Sequence, residues 1–248
     1  METRGKTALV TGGAHRVGRG ISLALARAGA NVVINYHSSA QAAQVTAAEA
    51  RALGVEALAV QADVADLAQV QAMVAAANDQ FGRVDILVNA ASPFVKTPVP
   101  TADFSGWHKV TRTLIDGAFY CANAVAPLML DHGEGAIVNI VDGILWVPWP
   151  GFTAHGVGKA GLMALTRQLA LELAPAVRVN AVAPGPVLAP AYFSDEQKQR
   201  AAERTLLRRW GTPDDVAQAV VFLVGASYIT GQVIVVDGGE SIAWRQSQ

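Results

Sequence analysis

The apolar run Thr7-Ala8-Leu9-Val10 leads into Thr11-Gly12-Gly13-Ala14-His15-Arg16-Val17-Gly18, and Ile21-Ser22-Leu23-Ala24-Leu25-Ala26 follows at once. That order predicts a strand, a glycine turn and a helix. Such a turn gathers backbone N–H groups and the positive end of a helix dipole at one point, where a phosphate can rest. The chain is therefore expected to bind a nucleotide.

The same alternation continues along the sequence. Strands are predicted at 7–10, 31–35, 57–61, 86–89, 136–141, 178–183 and 233–236, and helices at 18–28, 40–53, 67–80, 104–130, 153–173 and 213–223. Continuous apolar runs such as Ile137-Val138-Asn139-Ile140-Val141 suit strands buried on both faces. Strand–helix alternation with right-handed crossovers gives an α/β fold: a single-domain, doubly wound parallel sheet with helices on both faces. A chain of 248 residues suits one such domain over residues 1–248, and 52% hydrophobic residues provide a sizeable core. The exception is 184–207, which carries Pro184, Pro186 and Pro190 and then a polar run from Ser194 to Arg204. It reads as a long loop with a helical insert, and 186–207 is expected to build much of a substrate pocket.

The formal net charge of -1 gives no reason to expect nucleic acid or an anionic membrane as partner. The single Cys121 cannot form an internal disulfide and fits a reducing compartment. Met1 to Lys6 is too short and polar for a signal peptide, and no apolar run reaches the roughly 18–20 residues of a membrane span. A cytoplasmic protein is expected.

At the nucleotide end, Gly12 permits the tight turn and Gly18 lets the helix approach strand and pyrophosphate. The second strand ends at Asn35-Tyr36-His37-Ser38-Ser39, with no acid where an NAD-binding site places one for the ribose hydroxyls. Arg16 beside these hydroxyl donors suits a 2′-phosphate, so NADPH/NADP is the expected cofactor.

With these residues in view, the chain resembles the short-chain dehydrogenase/reductase family over nearly its whole length. The resemblance rests on Thr11-Gly12 with Gly18, Asp63-Val64, Leu87-Val88-Asn89-Ala90-Ala91, Lys159, Arg178-Val179-Asn180-Ala181-Val182-Ala183-Pro184-Gly185 and Val236-Asp237-Gly238-Gly239. Within the family it looks like the pteridine reductase branch. Arg16 replaces the middle glycine of the turn, Ala90-Ala91-Ser92-Pro93-Phe94 follows the fourth strand, and Asp142 replaces the family's serine. The resemblance implies an NADPH-dependent reductase. Asp63 and Val64 would contact adenine, Asn89 and Ala90 would line the ribose side, Pro184-Gly185 would face the nicotinamide, and Phe94 would stack on a flat substrate ring. Related proteins pair through the helices at 104–130 and 153–173, which implies a homodimer or homotetramer.

The family's Tyr-x-x-x-Lys reads His155-Gly156-Val157-Gly158-Lys159 here, and its relay asparagine falls at Leu114. Residues four apart share a helix face, so His155 and Lys159 are expected to face one site with Asp142. Histidine's ordinary pKa of about 6.5 lies well below tyrosine's of about 10. An anionic partner would favour the imidazolium, and a neighbouring ammonium would oppose it. Three readings follow. In the first, His155 oriented by Asp142 replaces the tyrosine as acid and Lys159 holds the nicotinamide ribose. In the second, the substrate is cationic or a C=N bond, such as a dihydropterin or cyclic imine, and makes little demand on a protein acid. In the third, the site binds NADP(H) as a sensor or scaffold. Trp146 and Trp149 would wall an apolar, ring-accepting pocket, or serve packing or an oligomer contact. Tyr192 in the loop and Tyr120 are the available phenols, Arg204, Arg208 and Arg209 read as a solvated cluster, and no cluster has metal spacing.

Overall fold

The computed structural model describes residues 1–189 and 193–243. Tyr192, expected in the substrate loop, lies outside the described residues. The strands are β1 (Thr7–Thr11), β2 (Asn31–Tyr36), β3 (Ala57–Gln61), β4 (Ile86–Asn89), β5 (Gly135–Ile140), β6 (Val177–Pro184) and β7 (Val233–Val236). They form one parallel sheet in the order β3-β2-β1-β4-β5-β6-β7, so the winding direction reverses between β1 and β4. In open sheets of this kind the crevice for a ligand lies outside the carboxyl ends of the strands at that reversal.

Period-2 alternation explains the two cores. Ala8 and Val10 point to one face, where Ile21 and Leu25 of α1 (Arg16–Arg27), Ala43 and Ala47 of α2 (Ala40–Ala52) and Val216 and Val220 of α8 (Pro213–Gly225) cover them. Leu9 points to the other, beneath Val70 and Met73 of α3 (Leu67–Phe81), Val125 and Met129 of α5 (Gly117–Asp131) and Leu169 of α6 (Thr153–Glu172). Asp66 caps α3 through the Ala68 and Gln69 N–H groups, and Thr212 with Asp215 forms a capping box on α8.

Two expectations need correction. The first helix begins at Arg16, not Gly18. The helix expected over 104–130 is α4 (Ser105–Thr111), a π-helical turn (Arg112–Asp116) and α5. Thr111 and Thr113 donate their hydroxyls to the carbonyls of Trp107 and Lys109, four residues back, a bond that bends helices. By length and composition the run Ser105–Asp131 could cross a membrane, but here its Cys121, Ala122 and Val125 are buried against the sheet. Burial pushes the Cys121 thiol up to about 12. The helical insert of the long loop is α7 (Asp195–Glu203), capped by Ser194 and Gln197.

Candidate active site

The glycine turn after β1 is built for close approach. Gly12 has φ +61°, and a side chain at Gly18 would place its Cβ 2.2 Å from the Gly12 carbonyl oxygen. α1 therefore sits on the turn itself. Its N-cap residue, His15, provides no side-chain cap, which leaves first-turn N–H groups for an anion. Asn35 ties the turn to the neighbouring strands: its Oδ1 accepts from Gly12 N–H and its Nδ2 donates to the Ala62 carbonyl. Thr11 does the same on the other side, its hydroxyl oxygen accepting from Ala90 and Ala91 N–H.

These ties hold open a cleft of about 280 Å³ at the strand ends. Gly12, His37, Ser38, Ser39, Asp63 and Val64 line it as expected, together with Ala91, Ser92 and Pro93. Val17 lies in the first turn of α1 and packs on the core behind the cleft. Two sequence expectations place differently. Arg16 adopts φ +49° and donates from its guanidinium to the Leu188 carbonyl at 2.9 Å, so it spans towards the long loop and does not line the cleft. His15 and Lys109 line it instead. His15 was readable from its place in the turn, whereas Lys109 comes from α4 and only the fold brings it there. Asn89 is also turned away: its amide donates to Asn139 inside the sheet, and Asn139 donates to Thr166. Ala90 donates its N–H to Thr11 and does not line the cleft, which Ala91 borders instead.

The second cluster stands at the end of β5. The structure brings Asp142, His155 and Lys159 together. His155 Nε2 lies 3.3 Å from Asp142 Oδ2, while Asp142 Oδ1 accepts from Ile144 N–H. Lys159 Nζ donates to the Ile140 carbonyl at 2.7 Å. Burial lowers the Lys159 ammonium to about 8, with the Asp142 carboxylate opposing that fall. His155 Nδ1 is buried with no hydrogen-bond partner. Leu114, where the family resemblance implied an asparagine, is buried and fills the space beside Gly158, whose Cβ would come 2.7 Å from its Cδ1. Pro184 and Gly185 end β6 next to this cluster, the Pro184 carbonyl lying 3.4 Å from where a Gly143 Cβ would stand.

An aromatic group covers the imidazole. Phe94 meets the His155 ring edge-on at 5.2 Å and stacks on Phe152 at 4.4 Å, and Trp149 lies parallel to His155 at 6.4 Å. Thr97 explains the placement. Its N–H donates to the Gly151 carbonyl and its hydroxyl accepts from Ala154 N–H, pinning the loop that carries Phe94 to the start of α6. Sequence reasoning missed both Thr97 and Phe152. Trp146 stands apart, 45% exposed after a short 3-10 turn. Tyr120 lies in α5 against the sheet core. Arg204 and Arg209 form surface pairs with Glu240 and Asp215. Among the described residues no group of His, Cys, Asp and Glu is arranged to hold a metal.

The donor set fits a nicotinamide adenine dinucleotide at one end. Glycines that a Cβ would block, an uncapped helix start and an acid-free β2 end would hold its adenosine and diphosphate portions. Comparison with known proteins shows the family. A family model described as enoyl-(acyl carrier protein) reductase matches residues 12–241. The 3-oxoacyl-(acyl-carrier-protein) reductase FabG of Staphylococcus aureus is 39% identical over 239 residues, covering 94% of this chain and 97% of that protein. The corresponding reductase of Synechocystis is 39% identical over 238 residues, covering 94% and 96%. Among solved structures, a putative short-chain alcohol dehydrogenase from Sinorhizobium meliloti superposes with a TM-score of 0.92 at 35% identity, covering 97% of this chain and 98% of that one. Fold, cleft and relatives together assign this chain to the short-chain dehydrogenase/reductase family of oxidoreductases.

Proposed function

We propose that this protein is an NADPH-dependent reductase of a C=N or C=O bond in a small cyclic substrate, of dihydropterin or cyclic imine type, with Asp142, His155 and Lys159 as its working set. The observation that carries this reading is the 3.3 Å contact between His155 and Asp142, on a helix face shared with buried Lys159, beside the end of β6. NADPH, when bound, supplies the hydride. Asp142 and His155 control charge and proton position at the reacting bond, and Lys159, whose ammonium donates to the Ile140 carbonyl, would exchange that bond for one to the ribose. Phe94, stacked on Phe152, and Trp149, set edge-on to both, form an aromatic corner for a ring, and the aromatic composition of that corner supports the pteridine-reductase-like reading over one for a long acyl chain.

NADP preference rests on the cleft wall at 36–39, which carries hydroxyls and His37 and no acid, with His15 and Lys109 across from it. The expected homodimer or homotetramer is supported by Phe119, Val157 and Leu171 on the outer faces of α5 and α6, each about half-exposed or more.

The relatives' names favour a second reading, reduction of a carbonyl such as that of a 3-oxoacyl thioester. NADPH oxidation with a panel of dihydropterins, cyclic imines, quinones and ketones separates the two. With a carbonyl substrate, which needs a proton on oxygen, His155→Ala and Asp142→Ala are each expected to lower the rate about a hundredfold or more, the usual contribution of a positioned proton-transfer group. Turnover of a 3-oxoacyl thioester alone overturns the cyclic-substrate reading. Tight NADPH binding with no turnover of any substrate favours a non-catalytic sensor or scaffold.

A further inference from the structure

The order of the side chains from solvent to core decides which of them meets a substrate. The Asp142 side chain is 21% exposed, whereas those of His155 and Lys159 are nearly sealed. One imidazole nitrogen is engaged by Asp142 and the other is enclosed without a partner. Phe94 and Trp149 occupy an edge and a face of the ring. A histidine is also shorter than the tyrosine that the family resemblance implies at this position, and its side chain is 2% exposed against 21% for Asp142. The Lys159 ammonium is directed at the Ile140 carbonyl, towards the sheet. What remains open is a carboxylate fixed by two donors, Ile144 N–H and His155 Nε2, and the half-exposed ring of Phe94 that packs on the same imidazole. The Nε2–H tautomer satisfies the contact to Oδ2.

We infer that this site takes its substrate as a planar cation, a small-ring iminium, with Asp142 as the opposing charge and Phe94, Trp149 and Phe152 as the aromatic wall. The inference rests on the reductase reading above and narrows its substrate class. The two recognition elements agree, since a cation is attracted both by a carboxylate and by the faces of aromatic rings. The chemistry balances without a protein acid. The iminium carbon accepts a hydride, its C=N π electrons become a lone pair on nitrogen, and the product leaves as a neutral amine with the cofactor oxidised. A ketone, by contrast, needs a proton on oxygen, and the one accessible ionisable side chain of this cluster is a carboxylate. His155 is then a positioning residue that holds Asp142.

A matched series tests this: dihydroisoquinoline, its N-methyl quaternary salt and tetralone, each with NADPH. The quaternary salt has no proton to give or take. It is expected to be reduced with at least tenfold higher kcat/KM than tetralone. Without turnover, the dimethyl ammonium of the saturated ring system is expected to raise the melting temperature of the NADPH complex, and its neutral isostere 2,2-dimethyltetralin is not. Asp142→Asn, with NADPH binding measured as proof of folding, is expected to lower the iminium-to-ketone ratio of kcat/KM at least tenfold. If that variant does not fold, the binding contrast in the unaltered protein decides. Preference for tetralone, or equal binding of the ammonium and 2,2-dimethyltetralin, overturns the inference and leaves the reductase reading standing. An unchanged ratio in folded Asp142→Asn overturns the role of its charge. No turnover of this series or of the wider panel, with NADPH bound, overturns the reductase reading and this inference with it.

Discussion

Arg16 and Lys159 show how far single residues depart from what their positions suggest. Arg16 stands at φ +49°, a conformation that costs a non-glycine residue roughly 1–2 kcal/mol, and holds the Leu188 carbonyl in return. Arg16→Gly removes both the strain and the bond, whereas Arg16→Ala removes only the bond. The glycine variant is therefore expected to be the more stable of the two by about 1 kcal/mol, measured by urea unfolding. Equal stabilities would show that the turn relaxes around any residue. Lys159 carries a pH signature. Its ammonium titrates near 10.5 when unfolded and at about 8 when buried. Between those values the unfolded chain holds a proton that the native one lacks, so this group's contribution to stability rises with pH across that window. Below pH 8 both states are charged and the native state bears the full desolvation cost, on the order of 3 kcal/mol. Lys159→Met without cofactor is expected to gain most over the parent at neutral pH, with the gain shrinking between pH 8 and 10.5. A gain that does not vary with pH would mean the ammonium is solvated.

At the scale of elements, α6 and the π-helical turn beside it interlock through Gly158 and Leu114. A Cβ at Gly158 would come 2.7 Å from Leu114 Cδ1 and 3.1 Å from its Cβ, and Leu114 is fully buried. Alanine has a helix propensity better than glycine by roughly 1 kcal/mol, but overpacking a filled core costs about 1–3 kcal/mol. Gly158→Ala is thus expected to destabilise the parent by about 1 kcal/mol and to stabilise a Leu114→Ala background, a sign reversal measurable in a double-mutant cycle. Additive effects would show that the two side chains do not touch. The sequence identified both residues but not their contact. Strands and most helices were readable because apolar runs and Ala/Leu-rich segments alternate with clear breaks. The π-helical turn was not, because Arg112–Asp116 continues an apolar helical pattern and the deviation comes from hydroxyl-to-carbonyl bonds and packing. Thr97 escaped for a related reason: it lies in a polar loop, and its importance is the α6 terminus it pins.

For the molecule as a whole, the sheet's reversal between β1 and β4 couples the cofactor cleft to stability. Glycine spacing and the motif order sufficed to read this architecture, since each strand and its turn are local in sequence. The charge lining the cleft was less readable. Arg16 leaves it and Lys109 enters from α4, and both outcomes depend on how distant segments pack. The glycine geometry nevertheless makes a whole-molecule prediction. A ligand that binds only the folded state at a hundred times its dissociation constant stabilises it by about 2.7 kcal/mol. For a domain of this size that raises the melting temperature by roughly 5–10 °C. NADPH is expected to produce such a shift. NADH at equal concentration is expected to produce a smaller one, because the β2 end offers hydroxyls and no acid to its ribose. Gly18→Ala should abolish both shifts, since its Cβ cannot stand 2.2 Å from the Gly12 carbonyl without moving α1 off the turn. A larger shift with NADH would reverse the assigned preference. A full NADPH shift in folded Gly18→Ala would mean that the helix start does not hold the diphosphate.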